Sequence, residues 1–372
     1  MSLIQRVLTN LEDRRQRILR GDINCIPSPF KSFRGDFPGI EQGKYYCLSG
    51  ASKSGKSQLT SFLFLYTPIL YAYHHPEQLR VQIFYFPLEE TPEKITIRFM
   101  CHLLYVLSGR KIRISPMQLQ SISKEKYVSK EILDILNSLE YRSILDFYED
   151  HVHFITERNP TGCYKTIKRY AEEAGTIHRK TITIENKETG IKQEKEVFDY
   201  YEPKDKDEYV IIIWDHASLC EKERGMNLKE CIDKLSEYFM VFRNHYNYTP
   251  VMIQQQNSDT ISLEAFKADR IRPTLNGLAD TKNVGKDCSM LLGITNPFAF
   301  EKPEYLEYNI RMLRGYARFL EIVLNREGES NGVLALYFDG ATNYFAPLPP
   351  AKDATNLQKV YKLVKDNILN PV

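Results

Sequence analysis

From Lys44 onward the chain alternates short apolar runs with longer stretches in which apolar residues recur every three or four positions. The first pattern predicts strands and the second predicts helices. KYYCLSG (44–50) is a β-prone run ending in glycine. Residues 57–73 are apolar and aromatic enough for a buried helix, and RVQIFYFPLE (80–89) is the next strand. TPEKITIRFMCHLLYVLSG (91–109) carries helix punctuation, with Thr91 as N-cap, Pro92 at the first position and Gly109 near the end. A polar-rich helix is expected over 123–147, a strand over 151–156 and a crossover helix over 161–175. YVIIIWD (209–215) is the most strand-like run in the chain. Leu228, Cys231, Ile232, Leu235, Phe239 and Phe242 share one helical face, and TPVMIQQQ (249–256) follows as a strand. CSMLLGIT, RFLEIVLN and VLALYFD give three more strands, the last two expected as antiparallel neighbours, and residues 355–369 give a terminal helix.

Three segments break this rhythm. Residues 3–20 predict a helix on which Leu3, Ile4, Val7, Leu8 and Leu11 form a stripe that Ile18 and Leu19 continue, with Arg14, Arg15, Arg17 and Arg20 around it. Residues 177–199 read as a β-hairpin insertion, with turn-like residues at Asn186–Gly190. Residues 258–281 carry few core signals and read as a loop. Strands alternating with crossover helices predict an α/β fold whose mostly parallel sheet is covered by helices, and the late strands predict an antiparallel C-terminal extension. The expected division is a linker-like helix (1–24), one α/β domain (25–350, with the hairpin inserted at 177–199) and a C-terminal helix (351–372).

Charge and cysteines narrow the class. Fifty Lys and Arg against 48 Asp and Glu give a net charge of +2, which excludes a polybasic chain but leaves room for a local basic path. No stretch approaches the roughly 18 apolar residues of a membrane helix, and the N-terminus lacks a signal-peptide pattern. The seven cysteines are scattered without a CxxC pair, so neither a disulfide framework nor a zinc site is indicated. A reducing, cytoplasmic setting without membrane attachment is expected.

The strongest chemical signal is Gly50-Ala51-Ser52-Lys53-Ser54-Gly55-Lys56-Ser57, which matches GxxxxGK[ST] between a strand and a helix. Glycines let backbone N–H groups wrap a phosphate, and the helix N-terminus adds its positive end. Lys56 would reach the β- and γ-phosphates of ATP, and Ser57 would ligate Mg²⁺. Asp215, at the end of the apolar run 210–214, fits the carboxylate that holds the metal from a neighbouring strand. It is followed by His216 instead of Glu, so a base for the attacking water must come from elsewhere. Glu89 and Glu90, at the end of the strand 80–88, are the candidates.

In this order the blocks resemble the RecA-like ATPases, and most closely the ATPase domain of replicative hexameric helicases of the DnaB type. The segments that carry the resemblance are GIEQGKYYCLSGASKSGKSQLT, FYFPLEETPEKITIRFMC, YVIIIWDHASL, TPVMIQQQNSD, PTLNGLADTKNVGKDCSMLLGI and FLEIVLNREGESNGVLALYFDGATNYF, over roughly residues 25–346. The resemblance implies that Glu89 is the catalytic glutamate, Gln256 the γ-phosphate-sensing glutamine and Arg326 the arginine finger acting on the neighbouring subunit. Arg311, Arg314 and Arg318 are nearby substitutes for that finger. It further implies a homo-oligomeric ring, expected as a hexamer, moving on single-stranded DNA in a bacterial or phage-infected cytoplasm, with replication or loader proteins as partners. The N-terminal helix would dock on the next subunit. Loop residues Lys222, Arg224, Lys267, Arg270, Arg272 and Lys282 would track phosphates without reading sequence.

The chain departs from the pattern at Leu324, where the family has a basic residue, in the segment Gly285–Ser289, and in the additional hairpin. These departures keep two alternatives open. One is another RecA-like nucleic-acid motor, a recombinase or a packaging-type ATPase. The other is a nucleotide-regulated scaffold with weak hydrolysis.

Overall fold

Along Glu208–Asp215 successive side chains enter two different cores. Tyr209, Ile211 and Ile213 join one hydrophobic cluster, and Val210, Ile212 and Trp214 join another. A run this apolar alternates only in which buried face it serves, which is the mark of a strand covered on both sides. The computed structural model, which describes residues 3–185, 192–257 and 271–369, places it inside one nine-stranded sheet.

Numbered in chain order, the sheet strands are β1 (Tyr46–Gly50), β2 (Arg80–Pro87), β3 (Val152–Phe154), β4 (Glu208–Asp215), β5 (Thr249–Gln255), β6 (Met290–Thr295), β7 (Ala317–Asn325), β8 (Val333–Asp339) and β9 (Tyr344–Pro347). Their spatial order is β9-β8-β7-β6-β1-β5-β4-β2-β3. Every neighbouring pair from β6 to β3 is parallel. The pairs β6–β7, β7–β8 and β8–β9 are antiparallel, as the late strands without intervening helices predict. β1 lies between β6 and β5, with Gly50 level with Ile294 on one side and Gln255 on the other.

One face is covered by residues 56–74 and by the helices Pro92–Leu107 and Leu139–His151, the other by Pro160–Ala174 and Leu228–Tyr246. The helix after β1 is α-helical over Lys56–Thr60 and Thr67–His74, with a π-helical segment, Ser61–Tyr66, between them. Pro68 has no N–H for the ladder, and just before it the Phe62 carbonyl accepts both the Thr67 N–H and the Thr67 Oγ1, the latter at 2.7 Å. The wider turn leaves all six residues of SFLFLY buried. A third cluster holds the C-terminal helix Ala354–Leu369 on the antiparallel extension through Leu357 and Val364.

Two expectations need correction. The single helix over 123–147 is two, Lys130–Leu136 and Leu139–His151. Ser129 caps the first by accepting from the Ile132 N–H. Ser138 has an extended ψ of 154° and donates to the Ile135 carbonyl, which ends one helix and lets the next begin. The hairpin is longer than 177–199: its strands are Gly175–Glu185 and Lys192–Pro203, and its expected turn lies outside the described residues. Its base is fixed by aromatic contacts, with Phe198 stacked on His245 and Tyr201 edge-on to Tyr248.

The N-terminal helix, Leu3–Arg20, forms as the periodicity predicts. Arg17 ties its second half to the domain through Asp207 and the Ile23 carbonyl. The apolar stripe finds no cover among the described residues: Ile4 is 71% exposed, Leu8 60% and Leu19 65%. No described helix is long and apolar enough to cross a membrane.

The doubly covered sheet gives a stability prediction. Ile213 is fully buried in β4, so Ile213→Ala should lower the unfolding free energy by about 2–5 kcal/mol in urea or guanidinium titration. A loss below about 1 kcal/mol, the range of a surface substitution, would contradict the two-sided burial.

Candidate active site

Gly50–Ser57 bridges β1 and the helix that starts at Lys56. Two of its glycines are required by geometry. A Cβ on Gly50 would lie 2.5 Å from the Ile294 carbonyl oxygen and 2.6 Å from Ser54 Oγ. Gly55 has φ +101°, a conformation side chains rarely adopt. The Ser54 N–H turns back to the Ala51 carbonyl at 3.3 Å. This is a cradle of backbone amides at a helix start, the form that receives phosphate.

The functional side chains gather at the C-terminal ends of β1, β4 and β2. Lys56 Nζ donates to the Ala51 carbonyl at 2.8 Å. Burial pushes its ammonium down to about 8, against the opposing pull of Asp215 and Glu89. Ser57 Oγ donates to Asp215 Oδ1 at 3.1 Å, and Tyr85 Oη donates to Asp215 Oδ2 at 2.9 Å. Asp215 is buried, which pushes its carboxyl up to about 6; the bonds from Tyr85 and Ser57 work against that rise. No cluster of three or more His, Cys, Asp or Glu placed to hold a metal occurs among the described residues. The Ser57 hydroxyl and the Asp215 carboxylate are hard oxygen donors. Such a pair suits Mg²⁺, which keeps waters and phosphate oxygens as its other ligands.

The two glutamates after β2 differ in their commitments. Glu90 forms a two-pronged ion pair with Arg98. Glu89 is half exposed and faces His216, whose Nε2 lies 3.9 Å from Glu89 Oε2. Of the two carboxylates, only that of Glu90 is committed to a guanidinium among the described residues. Gln256 is clamped: its Nε2 donates to Ser49 Oγ at 2.8 Å and to the Thr274 carbonyl at 3.1 Å, while its Oε1 accepts from the Thr274 N–H. It thus links β1 to the segment that follows the undescribed residues 258–270.

Arg326 lies just beyond the far end of β7 and is engaged within its own chain. Its guanidinium donates to the Cys288 carbonyl at 2.8 Å and to the Lys286 carbonyl. Of its substitutes, Arg318 is 6% exposed and turned onto its own phosphate loop, so it is not available to a partner. Arg311 and Arg314 are exposed. Lys222, Arg224 and Lys282 are exposed; Arg272 lies 3.7 Å from Glu321. Lys267 and Arg270 fall outside the described residues. Ser218 bonds Asp280, which joins the segment after Asp215 to the one before Lys282.

Tyr85 was not legible as part of the site. Its strand pattern reads only as core, and its hydroxyl reaches Asp215 because β2 and β4 are neighbours in register. Arg318 was legible only as a basic residue near Arg326.

No protein-family model matches the chain, and no curated protein matches it in sequence. In structure it is similar to a solved ATPase domain, with a TM-score of 0.61 at 12% identity over 94% of this chain and 99% of that one. It is equally similar to a DnaB-like replicative helicase whose interactions with primase were described, with a TM-score of 0.61 at 11% identity over 93% of this chain and 67% of that one. The fold is RecA-like, and it resembles the ATPase domains of DnaB-like helicases as the sequence blocks imply.

Glu321, which faces Arg272, yields a pH prediction. Burial pushes its carboxyl from 4.5 up to about 7, with Arg272 and Thr295 opposing. The folded chain therefore holds this proton more tightly than the unfolded one. Its stabilisation is fully present below pH 4.5 and is lost as pH rises through about 7. Between pH 5 and 8 the wild type should lose up to about 3 kcal/mol more unfolding free energy than Glu321→Gln. Parallel pH profiles for the two proteins would contradict it.

Proposed function

We propose that the chain is a Mg²⁺-dependent ATPase of the DnaB-like helicase class, hydrolysing ATP between subunits of a ring to move on single-stranded DNA. The observation that carries this reading is the convergence of Lys56, Ser57, Asp215 and Glu89 on the phosphate loop of a RecA-like sheet. ATP phosphates would draw Lys56 from the Ala51 carbonyl and favour its charged form. Ser57 and Asp215 would hold Mg²⁺, whose chemistry there is to offset charge on the β- and γ-phosphate oxygens. Tyr85 keeps the Asp215 carboxylate oriented. Glu89 polarises the attacking water, and Gln256 relays the presence of the γ-phosphate to the segment around Thr274.

Two surface features support a ring. The N-terminal helix presents an uncovered apolar stripe, which suits a groove on the next subunit. The cations Lys222, Arg224 and Lys282 lie on segments tethered to one another, so a ring would repeat them around its channel. Lys267, Arg270 and Arg272 are proposed as further members of that path. Arg326 would have to leave the Cys288 and Lys286 carbonyls to serve a neighbouring site. That engagement is the observation favouring the second reading, a nucleotide-regulated scaffold with weak turnover.

Steady-state ATPase assays with and without single-stranded DNA test the first reading. DNA should raise the rate. Glu89→Gln should lower kcat by about 10²–10⁴-fold with ATP still bound, and Lys56→Ala should abolish binding. A rate indifferent both to DNA and to Glu89→Gln would exclude this mechanism.

A further inference from the structure

Arg318 sits at the start of β7, and its side chain is 6% exposed. Arginine is almost never buried without a carboxylate or phosphate partner. Among the described residues Arg318 has no ion-pair partner. Its guanidinium donates instead to main-chain carbonyls: Nε to Ser54 at 2.7 Å, and Nη1 to Gly315 at 2.8 Å and Ala317 at 2.7 Å. Its remaining neighbour of note is the Phe338 ring, whose centroid lies 4.7 Å from the guanidinium carbon. Burial pushes the group down to about 10, a sign of how poorly these surroundings support its charge.

The carbonyl one residue earlier is held in a similar way. Asn296 Nδ2 donates to the Lys53 carbonyl at 3.4 Å. Asn296 is 7% exposed, yet its Oδ1 has no hydrogen-bond partner, and neither has the buried Ser54 Oγ. Two consecutive carbonyls of the phosphate loop are thus captured by side chains that follow β6 and open β7. The Ser54–Gly55 peptide is trans, so its C=O and N–H point to opposite sides. With the Ser54 oxygen fixed on Arg318, the Gly55 N–H is turned away from Arg318 and becomes one of the loop amides available to phosphate. A cation bonded to the carbonyl also polarises that amide and strengthens it as a donor.

We infer that Arg318 is a positioning residue of the phosphate loop: it fixes the Ser54 carbonyl so that the Gly55 amide meets a nucleotide phosphate. This rests on the nucleotide reading above. It also gives the antiparallel extension a role in binding, because β7 carries the residue that sets the loop.

Stability and affinity should then move in opposite directions. A buried cation without an anion is unfavourable in the chain alone, and an apolar side chain of similar reach removes that burden. The experiment is Mg²⁺–ADP binding and thermal melting of the full chain, for wild type, Lys56→Ala, Arg318→Met and Arg318→Lys. Arg318→Met should melt no lower than wild type without nucleotide, and should bind ADP about tenfold or more weakly. Arg318→Lys keeps the charge but not the planar fork, and should fall between them. Unchanged ADP affinity in Arg318→Met overturns the inference. So does an Arg318→Met chain that melts lower or fails to fold while Arg318→Lys binds ADP like wild type, since that is a purely structural role. Binding that Lys56→Ala abolishes and Arg318→Met leaves intact overturns this inference alone. Absence of binding by wild type overturns the nucleotide reading with it.

Discussion

At Gly50 the backbone of β1 passes so close to the Ile294 carbonyl that no side chain fits between them. The site depends on this approach. It exists because β1 lies in register between β6 and β5, and that register is kept by side chains buried on both faces of the sheet. The same arrangement brings the end of β4 level with the end of β2, so that Tyr85 can hold Asp215 and Ser57 can reach it. A covered parallel sheet is thus what turns distant sequence blocks into one pocket of charge.

The charges in that pocket are unsettled without a ligand. Burial lowers Lys56 to about 8 and raises Asp215 to about 6, and each shift runs against the charge the group would need in catalysis. Arg318, on the other side of the loop, is a third buried ionisable group whose charge is disfavoured by burial. In the nucleotide reading, a triphosphate with its metal would offer Lys56 a phosphate charge and Asp215 a cation. Charges disfavoured by burial beside a cradle of backbone amides are what the nucleotide reading would expect of the site before ligand binds.

Much of this was legible in the sequence, for identifiable reasons. An unbroken apolar run marks β4, and glycine spacing marks the phosphate loop, because local geometry alone demands those residues. The helix Leu3–Arg20 was legible as an amphipathic stripe, although not what would cover it. The break at Ser138 was hidden, since a serine can sit in a helix or end one, and its extended backbone, ψ 154°, is what separates the two helices. The hairpin's length was hidden because its aromatic base, from Phe198 to Tyr201, packs on residues more than 40 positions away. Tyr85 and Arg318 escaped for a common cause: each acts through strand register, which the sequence does not state. Glu89 and Glu90 were separated in sequence only by the resemblance, and the structure adds a physical difference, the ion pair of Glu90 with Arg98.

The uncovered stripe of the N-terminal helix is the feature that a ring of subunits would cover. The direct measurement is the mass of the particle in solution with Mg²⁺ and a non-hydrolysable ATP analogue. A closed hexamer is expected, and polar substitutions at Leu8 and Leu11 should dissociate it. A chain that binds the analogue tightly yet stays monomeric at every concentration would contradict catalysis between subunits.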